Sequence, residues 1–312
     1  MTSGRARTVF VGSGGFGRPS LEQLVDQPDT DLVGVVTAPP RPVGRTQDVA
    51  PTPIGAAAAE LGIDPILTPE RLRDPVAIDA ILDLGPELVV LADYGQIVPR
   101  DLLAGLHGAL NLHPSLLPRH RGATPIPAAI LAGDRETGVT LMRMDEGLDT
   151  GAIVAQERLD LDGTETTPVL EDRLAVIAAG LLGTNLGPWL RGELAARPQP
   201  EDGATMTRPL RREDGRLDPG RSVELLERQI RAFQPWPGSF VDTPVGRLAI
   251  WAAGIDPTLD ASGPPGTFDG DGLIVADGRL LLREVQPAGG KRMSWEAFVR
   301  GRPGIVGASI RE

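Results

Sequence analysis

The run R-T-V-F-V-G-S-G-G-F-G, Arg7 to Gly17, followed by the strand-like D-L-V-G-V-V-T of 31–37, decides how the rest of the chain is read. Residues 7–12 form a short apolar run of the kind that makes a buried strand. Gly12, Gly14 and Gly17 then stand in G-x-G-x-x-G spacing ahead of a helical pattern with Leu21 and Leu24. Strand, glycine turn, helix and second strand make a βαβ unit, in which glycines permit a tight turn and close backbone approach. A dinucleotide site of this kind also needs an acidic residue ~20 residues on, at the end of the second strand, to hold a ribose. That place is Thr37-Ala38-Pro39-Pro40, without a carboxylate. The glycines therefore read as packing the first helix onto the sheet, and the pattern argues against a nicotinamide cofactor.

Outward from this unit the alternation of strands and helices continues. Residues 38–53 are a long Pro-rich excursion carrying Arg41 and Arg45, where a short loop would do. Excursions of this length in compact domains tend to be functional or mobile, and an ordinary solvated loop is an equal alternative here. A helix is expected over 54–62, a strand near 64–67, a helix near 74–84, and a strand in E-L-V-V-L-A, 87–92, followed directly by Asp93-Tyr94-Gly95. An apolar strand without alternation, flanked by helices, is typical of a parallel sheet. Ligands of such sheets bind outside the carboxyl ends of the strands, so Gly12, Tyr94 and the pair Asn111/His113 are expected on one rim. Thr137–Met144 alternates as a strand, A-I-V-A-Q-E-R-L (152–159) follows as another, and Thr167-Pro168 reads as the cap and first turn of a helix. Leu170, Leu174, Ile177 and Leu181 lie on one face of it.

Composition changes after about residue 190. Residues 194–221 are polar and rich in Pro and Gly, as in a linker. Ser222 is placed to cap a helix over 223–233. Beyond it short β-prone runs follow at 246–251, 273–276 and 279–285, the last two joined by the hairpin signal Asp277-Gly278. The expected organisation is an α/β domain over 1–193 with a Rossmann-like, mostly parallel sheet, a linker over 194–221, and a small OB-like β-barrel over 222–312.

The chain has 312 residues, 41% of them hydrophobic, enough for a substantial core. Its 39 glycines and 30 prolines fall just short of the ~25–30% that marks low complexity. With no cysteine there is no disulfide framework, thiolate nucleophile or thiolate metal site. No apolar run reaches ~18 residues and the start, M-T-S-G-R-A-R, has no apolar leader, so a cytoplasmic protein is expected. The net charge of −11 argues against nucleic acid on its face, although a whole-chain charge hides local basic patches. Lysine occurs once, at Lys291; arginine supplies the other positive charges.

Chemistry concentrates in Leu110–Gly151. Asn111 and His113 alternate at the end of an apolar run, and Asp145, Glu146 and Asp149 lie in a Gly-bounded turn. An asparagine amide can donate to a developing oxyanion. A histidine can move a proton near neutral pH. A carboxylate can fix that histidine's tautomer and stabilise its cation. Ser115 lies in H-P-S-L-L-P without a nucleophile-elbow frame, so direct transfer to an external nucleophile is favoured over a covalent enzyme intermediate. Histidines at 107, 113 and 120 match no standard ligand spacing, so no metal is expected. On the residues alone, His113 as a hydrogen-bonded strand-end residue and Asp149 as a turn residue remain an open alternative.

N-L-H-P-S-L-L-P-R-H-R-G-A-T-P-I (111–126) followed by T-G-V-T-L-M-R-M-D-E-G-L-D-T-G-A-I (137–153) resembles the formyltransferases that use 10-formyltetrahydrofolate. T-A-P-P-R-P-V-G-R (37–45) and A-D-Y-G-Q-I-V-P (92–99) resemble further segments of that family. I-R-A-F-Q-P-W-P-G-S (230–239) and V-Q-P-A-G-G-K-R-M-S (285–294) resemble the C-terminal motifs of the branch that formylates methionyl-tRNA. The resemblance implies that Asn111, His113 and Asp149 are catalytic. It implies that Ser115, Leu116, Leu117 and Pro118 line a folate site, with Tyr94, Gly95, Asp145, Glu146 and Leu148 close by. Arg41 and Arg45 would reach the acceptor end of an initiator methionyl-tRNA, and Arg208, Arg211, Lys291 and Arg292 are further candidates for contact with it. A monomer without membrane or metal is expected. An amino-sugar nucleotide is the alternative acceptor. The sequence departs from the family pattern at Gly14-Gly15, at Asp93, at Pro209, where a lysine is usual, and at Pro219, where tryptophan is frequent.

Overall fold

The computed structural model describes residues 4–43, 48–105, 107–256 and 263–311. In chain order the elements are β1 (Ala6–Gly12), α1 (Arg18–Val25), β2 (Thr30–Val36), β3 (Arg41–Val43), β4 (Asp48–Ala50), α2 (Pro53–Glu60), β5 (Ile66–Leu67) and α3 (Pro75–Leu82). Then come β6 (Leu88–Ala92), α4 (Arg100–Leu103), β7 (Ala109–His113), β8 (Arg121–Gly122), α5 (Pro125–Ala132), β9 (Glu136–Arg143), β10 (Ile153–Asp160), α6 (Thr167–Leu190) and β11 (Met206–Thr207). The rest are α7 (Val223–Ala232), β12 (Ser239–Thr243), β13 (Gly246–Asp256), β14 (Gly272–Val275), β15 (Gly278–Pro287), β16 (Met293–Ser294) and α8 (Trp295–Gly301). Two compact units emerge. One comprises Met1–Pro125, Glu136–Asp160 and Glu171–Thr207; the other Ile126–Arg135, Leu161–Leu170 and Arg208–Glu312.

The first unit holds a seven-stranded sheet in the order β10-β9-β7-β6-β1-β2-β5. The five strands from β7 to β5 are parallel, and β9 and β10 are antiparallel additions on one edge. Strand β1 pairs with β2 on one side and β6 on the other, so the order reverses there, and this is where such sheets open a ligand crevice. Burial on both faces explains the unbroken apolar composition of the central strands: every residue of β6 and β7 is buried. Val9, Val11, Val36, Val89 and Leu91 share one core cluster with Leu72, Ile81 and Leu102. The Pro-rich excursion carries the antiparallel pair β3–β4.

The glycine turn packs as the sequence suggested, with one addition. A Cβ at Gly17 would press on the Ala92 carbonyl oxygen and the Phe10 ring, and one at Gly14 would overlap the Asp93 carboxylate. The Asp93 carbonyl accepts the Ser13 N–H at 2.9 Å. An aspartate therefore lies against the turn where a dinucleotide fold would receive phosphate.

Helix α6 begins one residue earlier than expected. Thr167 is already helical, and its hydroxyl donates to the Ala232 carbonyl at 2.6 Å instead of capping its own helix. Residues of the Pro/Gly-rich stretch 194–221 are tied down: β11 pairs in parallel with β8, and Arg197 bridges Ile153.

The second unit is built on an antiparallel sheet, β12-β13-β15-β14, with β16 on β15. Its edges are joined through single bridges. The Ile274 N–H donates to the Thr267 carbonyl, Ile310 to Gly266, and Arg311 to Asp242 on β12. These links tie the outer strands of the sheet to the segments around Thr267 and Ile310, and the unit is an antiparallel β domain of the expected kind. Helix α7 buries Val223, Leu226 and Ile230 in a core with Ile250, Leu280 and Val285. Phe268, Trp295 and Phe298 stack there with ring centroids 5.6 and 5.7 Å apart. Ser222 caps α7 through the Leu225 N–H, as its position predicted. The β14–β15 loop is Ala276-Asp277, one residue earlier than the Asp-Gly signal, because Gly278 pairs with Val275. Asp277 then takes the first N–H of α7 at 2.8 Å.

Candidate active site

Asn111 and His113 occupy alternate positions of β7, so their side chains leave the same face of the sheet. Both are buried. The partner strand β9 runs the other way, with Leu110 opposite Arg143 and His113 opposite Thr140. The chain leaving β9 therefore turns back, and residues 145–152 bring Asp149 to the same two side chains. Its Oδ1 accepts a long hydrogen bond from Asn111 Nδ2 at 3.5 Å, and its Oδ2 lies 3.7 Å from His113 Nδ1. The three candidate catalytic residues meet.

Three groups that the sequence did not single out hold them. The Gly122 N–H donates to Asp149 Oδ2 at 2.8 Å. Gln199 donates to the carbonyls of Asp149 and Gly151, both at 2.8 Å, and accepts both Arg121 contacts at 2.9 and 2.7 Å. Asp149 itself has φ +53°, a left-handed conformation that needs such bracing. The His120 carbonyl lies 2.9 Å from His113 Nε2. A carbonyl only accepts, so Nε2 carries the hydrogen, and in the neutral ring Nδ1 is left bare toward Asp149. The His120 carbonyl is thus a second partner that orients the ring, beside the carboxylate expected from the sequence. Burial pushes the His113 pKa down, against the opposing pull of Asp149, so the ring is held neutral.

The segment expected to line a folate site forms a braced turn after β7. Ser115 is fully buried and its hydroxyl donates to the Arg119 carbonyl at 2.6 Å. Thr140 Oγ1 donates to the Ser115 carbonyl and accepts from the Leu117 N–H, while Gln156 donates to Thr140 Oγ1 and the Leu117 carbonyl. Leu117 is buried; Leu116 and Pro118 are half-buried. Tyr94 packs against the core cluster, and its hydroxyl is buried with no hydrogen-bond partner among the described residues; desolvation raises its pKa. Gly95 is exposed with open space around it. Asp145 organises its own turn through the Gly147 N–H and the Thr150 hydroxyl. Glu146 pairs with Arg100 at 3.1 Å, and Leu148 is exposed. Among the described residues no cluster of histidine and acidic side chains could hold a metal.

Asp93 is raised by burial, and Glu171 is raised by burial and by the Asp93 charge. The Asp93 and Glu171 carboxyls lie against Gly14 and Gly15 of the glycine turn.

The candidate arginines are scattered. Arg41 is exposed at the start of β3, and Arg45 lies outside the described residues. Arg208 grips Asp214 through two nitrogens at 2.7 and 2.6 Å, holding that carboxyl down at about 2. Arg211 is exposed, and its backbone N–H also donates to Asp214. Lys291 and Arg292 are exposed in the second unit, with the Arg292 guanidinium 3.4 Å from the centre of the Trp251 ring.

An amide, a buried imidazole and a braced carboxylate thus meet at the end of β7, a set able to serve acyl transfer, and the comparisons give the family. The family model for formyl transferase matches residues 6–183, and that for the formyl transferase C-terminal domain matches 209–303. The chain belongs to the formyl transferase family. It is 45% identical over 311 residues to a methionyl-tRNA formyltransferase of Gluconacetobacter diazotrophicus, covering 97% of this chain and 99% of that one. It is 40% identical over 301 residues to the methionyl-tRNA formyltransferase of Bacillus subtilis, covering 95% and 94%. Within the family it therefore groups with the methionyl-tRNA formyltransferases.

Solved structures share the fold at low identity. An N-formyltransferase from Helicobacter canadensis, crystallised with folinic acid and dTDP-3-aminofucose, aligns with TM-score 0.65 at 16% identity over 92% of this chain and all of that one. HypX from Aquifex aeolicus aligns with TM-score 0.64 at 15% identity over 96% of this chain, which spans about half (49%) of HypX. Among the described residues no helix is long and apolar enough to cross a membrane.

Proposed function

We infer that the chain transfers the formyl group of 10-formyltetrahydrofolate to the free α-amino group of initiator methionyl-tRNA, giving N-formylmethionyl-tRNA for translation initiation. The observation that carries the reading is the convergence of the Asn111 amide, the buried His113 ring and the Asp149 carboxylate at the end of β7. Both folate and tRNA are substrates here. Asn111 donates one N–H to the oxygen of the formyl group as the amine nitrogen bonds to its carbon. Only one of its two amide hydrogens is engaged by Asp149, and weakly. His113 Nδ1 takes the proton that the attacking nitrogen sheds. The imidazolium so formed is stabilised by Asp149, whose Oδ2 is held by the Gly122 N–H. His113 then returns the proton to the folate nitrogen as the carbon–nitrogen bond to the donor breaks. Formyl group and proton have both moved, and the enzyme is back in its starting state.

The donor suits the residues around the site. The exposed Leu148 and the open Gly95 leave room for a flat ring. Ser115 shapes the Leu116–Pro118 turn from within, since its hydroxyl is engaged by Arg119. Asn111, His113 and Asp149 all come from one unit of one chain, so a monomer suffices. The reading puts the protein in the cytoplasm with its aminoacylated substrate. Incubation with formyl-folate and either methionyl-tRNA or an amino-sugar nucleotide tests it. Formylation of the tRNA is expected, and formylation of the sugar alone would replace this reading.

A further inference from the structure

We propose that Trp236, together with the stacked pair Arg292–Trp251, forms a platform on which an unpaired base of the tRNA substrate lies. The proposal rests on the acceptor reading above and concerns how an acidic chain holds RNA.

Charge is a weak handle in the second unit. Arg208 is tied to Asp214, Arg216 and Arg247 share Asp242, Arg231 is tied to Glu227, and Arg279 sits among Asp256, Asp269 and Asp271. These acids offset the positive fields that would draw a phosphate backbone. Flat surfaces are the alternative handle. Base–aromatic stacking needs no net charge, and guanidinium planes stack on bases as well.

The turn that carries Trp236 is anchored to the strand that carries Trp251. Trp236 lies in the turn between α7 and β12 with 57% of its surface exposed. The start of β12 pairs Ser239 with Ile250, which sets that turn beside Trp251 on β13. Gln234, in the same turn, donates to the Trp251 carbonyl at 2.7 Å and to the Ile230 carbonyl at 3.1 Å, fixing the turn to the strand. The Trp251 indole N–H donates to Gln286 at 3.0 Å, and Gln286 donates to the Gly290 carbonyl at 2.9 Å, which holds the segment bearing Lys291 and Arg292. The Arg292 guanidinium carbon lies over the Trp251 ring, 3.4 Å from its centre, and the nearest acid, Glu284, is 4.0 Å away. Tryptophan is enriched at recognition surfaces. Here four side-chain hydrogen bonds build the frame around it.

The test uses the full chain with Trp236→Ala, Trp236→Phe and Arg292→Lys. Direct binding of tRNA is measured at several salt concentrations, alongside steady-state kinetics. Trp236→Ala is expected to weaken tRNA binding and raise its KM roughly tenfold or more, as loss of one stacked base does. The kcat and the KM for formyl donor stay unchanged, and Trp236→Phe recovers most of the loss. The salt slope of Trp236→Ala is expected to match wild type, because stacking releases no counterions. Arg292→Lys keeps the charge and loses the plane, so it too should weaken binding. A tRNA trimmed of its unpaired 3′ nucleotides identifies the base: the Trp236→Ala effect disappears if the base belongs to the 3′ end and persists if it belongs to a loop. Wild-type-like binding by Trp236→Ala, while the wild type formylates methionyl-tRNA, overturns the platform alone. A wild type that neither binds nor formylates methionyl-tRNA overturns the acceptor reading with it.

Discussion

His113 is buried with its Nε2 occupied by a backbone carbonyl, so its chemistry can pass only through Nδ1. Its neutral state follows from burial, which outweighs the Asp149 charge, and this has a sign in stability. The folded pKa is depressed below the ordinary ~6.5. The stabilisation is therefore present above ~6.5 and is lost as pH falls below that value toward the folded pKa. Urea melts at pH 7.5 and 5.5 should show a larger loss for wild type than for His113→Asn. An equal loss would mean that the ring charges freely in the fold. Asn111→Ala removes an oxyanion donor, and kcat is expected to fall by ~10²–10³ while formyl-folate still binds. His113→Ala and Asp149→Ala should each be similarly damaging, and the double variant little worse than either, because a bare nitrogen and its charge partner act as one unit. Rates that simply multiply would separate them. The three residues were legible in the sequence from their types and spacing, with their roles implied by family resemblance. The His120 carbonyl and the Gly122 N–H were not, because backbone groups carry no side-chain signal and become partners only when β8 folds under the Asp149 turn.

Helices and strands follow the local code wherever one competing force dominates. The parallel strands were readable because burial on both faces demands an unbroken apolar run, as in Leu88–Ala92. The start of α6 was misread by one residue because the Thr167 hydroxyl finds the Ala232 carbonyl, 65 residues away, in place of its own helix. The return of β9 beside β7, which delivers Asp149, is likewise a register fact that no window of sequence contains. Ser222 was readable because capping is local. Ser222→Ala is expected to cost ~1 kcal/mol of stability in the second unit, measured as a lowered denaturation midpoint, with kcat unchanged. Gln199 is the opposite case, a polar residue in a Pro-rich stretch whose amide spans Asp149, Gly151 and Arg121. Gln199→Ala should lower kcat with little change in either KM, since it loosens the turn that aims the carboxylate and touches neither substrate. A KM effect equal to the kcat effect would assign it to binding instead.

A chain with net charge −11 that acts on RNA must spend its cations sparingly. Composition alone pointed away from nucleic acid, and the conflict with the family resemblance is resolved only by seeing which cations are engaged. The arginine partners Asp214, Asp242 and Glu227 neutralise much of the positive charge within the second unit. Lys291, Arg292 and Arg41 stand exposed at the surface. Binding of methionyl-tRNA should therefore respond weakly to salt. Each neutralised phosphate contributes a slope of about −0.7 to −0.9 in log K against log salt. Contact through roughly two or three phosphates predicts an overall slope near −2, far from the steep dependence of strongly basic binders. Lys291→Ala should make the slope shallower by about one phosphate, whereas Arg208→Ala should leave it nearly unchanged, because the Arg208 charge is already matched by Asp214. Filter-binding or fluorescence titrations across a salt series measure both. A slope steeper than about −5 in wild type would mean that the ion pairs of the second unit open on binding and release their arginines to the RNA.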